Sequence, residues 1–117
     1  MRFHQNLQLK MDDYVHLIYK VTRKFPKDEY YGARSQIRRA ALSIVLNYIE
    51  GYARQREKVL RNFLQTSYGS LKESRYLISF SLKEDWITSE ECSEAIGLAD
   101  EIGAMLWSTI TKSSTNN

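Results

Sequence analysis

Five polar residues, Gln36, Arg39, Ser43, Asn47 and Glu50, recur three or four apart along the run QIRRAALSIVLNYIEG. On a helix that spacing places them in one seam. A guanidinium, a carboxylate, two amides and a hydroxyl in line can do two things. They can lock neighbouring helices in register through hydrogen bonds, or they can converge on a small molecule. Downstream, Thr66, Gly69, Ser70 and Glu73 offer a counterpart. Glu73 is placed to reach Arg39 or Gln36, and Gly69 to let two helices approach closely. A paired Arg and Glu inside a bundle ordinarily serves structure, so the register-fixing network is preferred to a pocket.

A second constellation is basic: Arg23, Lys24, Lys27, Arg34, Arg38, Arg54, Arg56, Lys58 and Arg61, interleaved with Tyr30, Tyr31 and Tyr52. Cationic side chains neutralise phosphates, and exposed tyrosines stack on unpaired bases. The charge is segregated along the chain. The stretch from Tyr19 to Arg61 carries +7 and the stretch from Asn62 onward −4, within a net charge of +3. Such segregation predicts a polarised surface suited to a polyanion or to contact between subunits.

Other reactive side chains are sparse. His4 and His16 are far apart, and Asp12 with His16 reads as an exposed ion pair at i,i+4. No Glu-x-x-His motif, phosphate-binding loop, nucleophile elbow or zinc finger occurs. Cys92, the single cysteine, has no histidine nearby in sequence and is expected to be buried and inert. No metal, no cofactor and no enzymatic activity are expected. The lone cysteine, with no apolar signal core near the N-terminus, points to a reducing, cytoplasmic home. No stretch is long and apolar enough for a membrane span.

The elements that must position these groups are helices. One proline and five glycines are too few for a turn-rich β fold. Tyr14, Leu17, Ile18, Val21 and Phe25 form a helical stripe, with Pro26 as its stop. Leu60, Leu64, Ser67, Leu71, Ser74, Ile78 and Leu82 alternate by four and three, the seam of a left-handed bundle. Thr88-Ser89-Glu90-Glu91 reads as a capping box ahead of Ala95, Ala99, Ile102, Leu106 and Ile110. The expectation is a single all-α domain over 1–117, an antiparallel up-down-up-down four-helix bundle with helices at about 12–24, 28–54, 57–84 and 89–112. Gly51 is expected to mark fraying at the end of the second helix, and the tail SSTNN to fray as well.

The second helix is apolar on two sides. Ile37, Ala41, Ile44, Tyr48 and Tyr52 lie on one, and Leu42, Val45, Leu46 and Ile49 on the other. A helix with two apolar faces needs covering twice. The first face belongs to the subunit's own core; the second calls for another copy, hence a homo-oligomer. Repeated around an oligomer, a modest basic patch becomes multivalent.

The segments FPKDEYYGARSQIRRAALSIVLNYIEGYAR and FLQTSYGSLKESRYLI resemble the bacterial four-helix-bundle proteins encoded in intervening sequences of 23S ribosomal RNA genes. That family is also labelled ribosomal-protein-like and includes accessory variability proteins of diversity-generating retroelements. The resemblance runs from about Tyr14 to Leu106. It rests on Phe25-Pro26, Gln36-Ile37-Arg38-Arg39-Ala40, Asn47, Glu50-Gly51 and Gly69-Ser70-Leu71. It implies a homopentameric ring of up-down bundles and, by likeness to the retroelement members, RNA or DNA binding through a basic surface and a protein partner such as a reverse transcriptase. Carried over, Arg34 and Arg38 fall on the basic surface, and Gln36, Arg39, Ser43, Asn47, Glu50, Ser70 and Glu73 on positions that hold the bundle together. Val45 stands where the family usually has a proline, which implies a straighter second helix. The competing reading, from another class, is an assembly or adaptor protein whose basic patch meets an acidic protein surface.

Overall fold

The computed structural model describes residues 2–115, with side chains through Lys112. Four helices follow one another: α1 Arg2–Thr22, α2 Ala33–Ala53, α3 Glu57–Lys83 and α4 Ser89–Thr115. A short 3-10 turn, Lys27–Glu29, lies between α1 and α2. No strand occurs among the described residues, and no helix is long and apolar enough to cross a membrane. Each helix packs on its neighbours in the chain, and α1 closes the bundle against α4. Successive partners run in opposite directions. His4 meets Tyr48 while Thr22 meets Arg38; Gln36 meets Glu73 while Ile44 meets Ser67; Arg75 meets Asp100 while Tyr68 meets Trp107. The turn between α1 and α2 therefore lies at the same end as the turn between α3 and α4.

Three boundaries of the first two helices differ from the sequence reading. Helix α1 starts at Arg2, not near Asp12, because Leu7 and Met11 extend the stripe of Tyr14 and Ile18 by two turns and are fully buried. It stops at Thr22 rather than Lys24, and Phe25 enters the core from the turn. Helix α2 starts at Ala33, not Asp28. Its cap is supplied from the preceding 3-10 turn: Glu29 Oε1 accepts the Ala33 N–H at 3.0 Å. A Cβ on Gly32 would come within 2.8 Å of that oxygen, so glycine leaves room for the cap. The two later helices start where expected; α3 ends at Lys83, and α4 runs on to Thr115 rather than stopping near Lys112. The capping box at α4 is formed in both directions: the Thr88 N–H donates to Glu91 Oε1 at 2.9 Å and the Glu91 N–H to Thr88 Oγ1 at 3.1 Å. The expectation of a frayed tail through Asn117 lies outside the described residues.

Helix α3 ends in a Schellman motif. Asp85 takes a left-handed φ of 64°, its N–H donates to the Leu82 carbonyl, and the Trp86 N–H donates to the Ser81 carbonyl, both at 3.0 Å. Trp86 then packs on Phe80 and Phe25, ring centroids 5.7 and 5.0 Å away. That aromatic contact ties the two turns at this end together.

The core is built from the expected stripes. Ile37, Ala41, Ile44 and Tyr48 of α2, Leu64, Leu71 and Ile78 of α3, and Ala95, Ala99, Ile102, Leu106 and Ile110 of α4 are buried. Tyr52, placed by periodicity on the core face, is 39% exposed. Cys92 is buried, as expected. The soft serine positions of α3 are satisfied: Ser67 donates to the Ile44 carbonyl at 2.7 Å, and Ser74 shares a 2.8 Å hydrogen bond with the Tyr14 hydroxyl. Burial pushes that Tyr14 hydroxyl up to about 12, so it is neutral across the physiological range. Helix α2 runs unbroken through Val45, consistent with the absence of proline there.

Neither glycine plays the role that sequence suggested. Gly69 is exposed and has open space around a built Cβ, so it permits no close approach within the subunit. Gly51 does not mark fraying. It is buried where α2 leaves the bundle against the start of α3, and a Cβ there would sit 2.9 Å from Phe63 Cβ and 3.1 Å from Leu60 Cδ1. Gly51→Ala should therefore lower stability. Overpacking costs about 1–3 kcal/mol, against a helix-propensity gain of about 1 kcal/mol. Gly69→Ala should keep that propensity gain undiminished. Urea unfolding of the two variants is expected to move the midpoint in opposite directions.

Candidate nucleic-acid interface

The polar seam is real but shorter than its sequence spacing suggests. Gln36 Nε2 donates to Glu73, the Ser43 and Ser70 hydroxyls lie 2.7 Å apart, and Asn47 Nδ2 donates to both the carbonyl and the hydroxyl of Ser43 at 2.8 Å. The first two contacts zip α2 to α3 and the Asn47 bonds brace Ser43 within α2; no buried polar side-chain atom is unpaired among the described residues. Two members fall away. Arg39 is exposed and takes no part in the network, so the Arg39–Glu73 pair does not form. Glu50 points outward to Arg54 one turn on, at 2.8 Å. Thr66 bonds back to its own helix at the Asn62 carbonyl. The seam fixes register, and its members Gln36, Ser43, Asn47, Ser70 and Glu73 line none of the surface depressions around His4, Leu9, Tyr52 and Leu60.

The basic set, continuous in sequence, divides between the two ends of the molecule. Arg54, Arg56, Lys58 and Arg61 lie at the turn between α2 and α3. Arg23, Lys24, Lys27, Arg34 and Arg38 lie at the other end, where α1 passes into α2. Along α2, Arg34 and Arg38 at its start are set off from Arg54 at its end by most of the helix, roughly 24 Å or more at the helical rise per residue. The far set is partly compensated, Arg54 by Glu50 with its guanidinium over the Phe63 ring. The charge polarity of the sequence is also folded back on itself, since Lys24 reaches across to Glu91 at the acidic α3–α4 turn. That contact and the capping bond hold the Glu91 carboxyl below its ordinary range.

Three arginines at the α1–α2 end remain grouped. Arg38 is held by the end of α1: its Nε donates to Thr22 Oγ1 at 2.9 Å, its Nη2 donates to the Tyr19 carbonyl at 3.1 Å, and its guanidinium lies 4.4 Å over the Tyr19 ring. The fully buried Thr22 hydroxyl passes its own proton to the Ile18 carbonyl at 2.7 Å. Arg34 stacks 3.5 Å over the Tyr30 ring. Burial, and then the neighbouring charges of Arg34 and Arg23, push Arg38 below its ordinary value. No carboxylate is among the groups that set this balance. Arg34 and Arg38 are thus held by stacking and backbone bonds rather than by acids, with Arg23 near enough to act on Arg38, an arrangement completed by an anion from outside. Sequence named these arginines; their anchors Tyr19 and Thr22 went unnoticed, because nothing in the order of residues pairs the end of α1 with the second turn of α2.

The outward side of α2 continues from this cluster into its apolar half. Leu46 is 58% and Ile49 47% exposed, with Leu42 and Val45 half-buried beside them. Leu9 of α1, 62% exposed, extends the patch across a groove of about 680 Å³ lined also by Gln5, Asn6, Asp12 and Val45. Leu9 was not anticipated, since α1 was not expected to reach so far back. The other reactive side chains are quiet. Asp12 and His16 form an exposed contact of 3.5 Å, and no group of His, Cys, Asp and Glu among the described residues could hold a metal ion.

These features define an all-helical bundle whose polar groups serve packing and whose outer surface carries an arginine cluster and an apolar face. The chain belongs to the 23S rRNA-intervening sequence protein family, whose profile matches residues 6–108. Its fold is similar to that of a protein of unknown function from the S23 ribosomal protein family of Bacteroides thetaiotaomicron. The TM-score is 0.82 at 21% identity, covering 89% of this chain and 97% of that one. Neither description carries an enzymatic activity. No curated protein matches the chain.

Proposed function

We propose that this protein is a non-enzymatic, self-assembling bundle that binds the phosphates of RNA or DNA. The observation that carries the proposal is the pair of guanidiniums of Arg34 and Arg38, braced by the Tyr30 and Tyr19 rings rather than by an ion pair, with Arg23 near enough to act on Arg38. Like charges close together destabilise a free subunit, and a bound polyanion reverses the sign of that interaction. The face of Leu42, Val45, Leu46 and Ile49, widened by Leu9, is where a second copy docks. The ring of five implied by the sequence resemblance would repeat the cluster around one particle and turn weak phosphate contacts into tight binding.

Titrating generic RNA and single-stranded DNA onto the protein over a salt series tests this reading. Affinity should fall steeply as salt rises, with a log–log slope of about −0.7 per phosphate engaged on single strands, and with little dependence on sequence. Absence of binding even at low salt would refute it and favour an acidic protein surface as the occupant of the cluster.

A further inference from the structure

The three tyrosines interleaved with the basic residues are sorted differently by the fold. Tyr30 is covered by the Arg34 guanidinium. Tyr52 lies at the far end, against His4 and Tyr48, its ring centroids 5.1 and 4.9 Å from theirs. Tyr31 is 99% exposed, with its ring in water. The backbone that carries it is nonetheless pinned on both sides. The Glu29 N–H donates to the Pro26 carbonyl at 2.9 Å, and the N–H groups of Tyr30 and Gly32 donate to the carbonyls of Lys27 and Glu29 at 3.1 Å. Immediately afterwards the Glu29 side chain caps α2. Tyr31 is therefore a large flat ring in water on a fixed backbone, next in sequence to the stacked Tyr30–Arg34 pair and at the same end of the molecule as Arg23 and Arg38.

From this geometry we infer that the nucleic acid is a single strand, with an unpaired base stacking on Tyr31 while the adjoining phosphates lie on Arg23, Arg34 and Arg38. The inference rests on the phosphate-binding function proposed above and narrows its ligand. A duplex keeps its bases stacked on one another and offers the cluster only phosphates, leaving Tyr31 unused. An unpaired base has a free face, and stacking on an aromatic side chain is tolerant of sequence because every base has one. The side chain has only two torsions to fix, so ordering it on binding costs little.

Fluorescence anisotropy with a short labelled single strand and the corresponding duplex, at one salt concentration, tests the assignment. The single strand should bind about tenfold more tightly, the loss expected from removing one stacking ring. Tyr31→Ala should abolish that preference and leave duplex binding unchanged, while Tyr31→Phe and Tyr31→Trp keep it. Because Tyr31 packs on nothing, all three variants should keep the helical circular dichroism of the parent. Equal affinity for the two forms, or a preference that survives Tyr31→Ala, would overturn the inference. If Arg34→Glu still removes binding in that case, phosphate recognition stands and only the stacking role falls. If neither strand nor duplex binds at low salt, phosphate recognition itself falls.

Discussion

A chain carrying Leu46→Glu and Ile49→Glu together is expected to sediment as a single subunit with its helices intact. Both side chains are about half exposed in the subunit, so two glutamates there cost little of its own folding energy, within about 1 kcal/mol. In an assembly the same positions are covered. Each loses the remaining half of its apolar burial, about 1 kcal/mol, and a carboxylate facing an apolar surface adds a desolvation cost of about 1–3 kcal/mol. The interface therefore weakens by about 4 kcal/mol or more, roughly a thousandfold in the dissociation constant. Leu9→Glu should act in the same direction, since Leu9 lines the same groove. Unchanged mass in the double variant, with circular dichroism and melting like the parent's, would remove this face from the assembly.

Reversing charge at Arg23 and Arg34 is expected to abolish nucleic-acid binding. Neither guanidinium is tied to the scaffold by a side-chain hydrogen bond; Arg34 rests on Tyr30, which is itself at the surface. The replacements Arg23→Glu and Arg34→Glu remove two cations and place two anions beside Arg38. Affinity should fall by about a hundredfold or more at moderate salt, with the salt dependence flattened by up to two phosphates' worth. Arg38 is a poorer test, because it also holds α1 to α2 through Thr22 and the Tyr19 carbonyl. Losing those bonds would cost about 1–3 kcal/mol of stability and confuse binding with folding. Reversing Arg54 and Arg56 at the opposite end should cost much less, since Arg54 is already paired with Glu50. Equal losses from the two ends would mean that bulk charge, rather than the cluster, attracts the ligand.

Much of this was legible in the sequence where one helix suffices to carry the signal. The stripe of α3, the capping box of α4 and the core face of α2 are each set by spacing along a single helix, and each appears as read apart from Tyr52 at the end of α2. The contacts of Gln36 and Ser43 with Glu73 and Ser70 were legible too, because two antiparallel helices joined by a short turn bring such seams together. What escaped depends on pairing distant segments. The basic block from Arg23 to Arg61 looks continuous in sequence, yet a long helix carries its two halves to opposite ends. The acidic later part of the chain returns beside the first half through Lys24 and Glu91. Helical phase alone would have sorted the glycines. Gly69 lies two residues from both Ser67 and Leu71, on the side away from the core, whereas Gly51 follows Tyr48 and Ile44 around the packed side. The first turns of α1 were hidden by their polarity: His4, Gln5, Asn6 and Gln8 surround Leu7, and the paired Asp12 and Asp13 imitate a helix start.

Sedimentation velocity of the unaltered chain over a range of concentrations reaches the centre of the account most directly. The predicted result is a stable particle several times the 13.7 kDa of one chain, collapsing to one subunit when Leu46 and Ile49 become glutamate. A lone subunit at every concentration, with Leu9, Leu46 and Ile49 left in water, would contradict it.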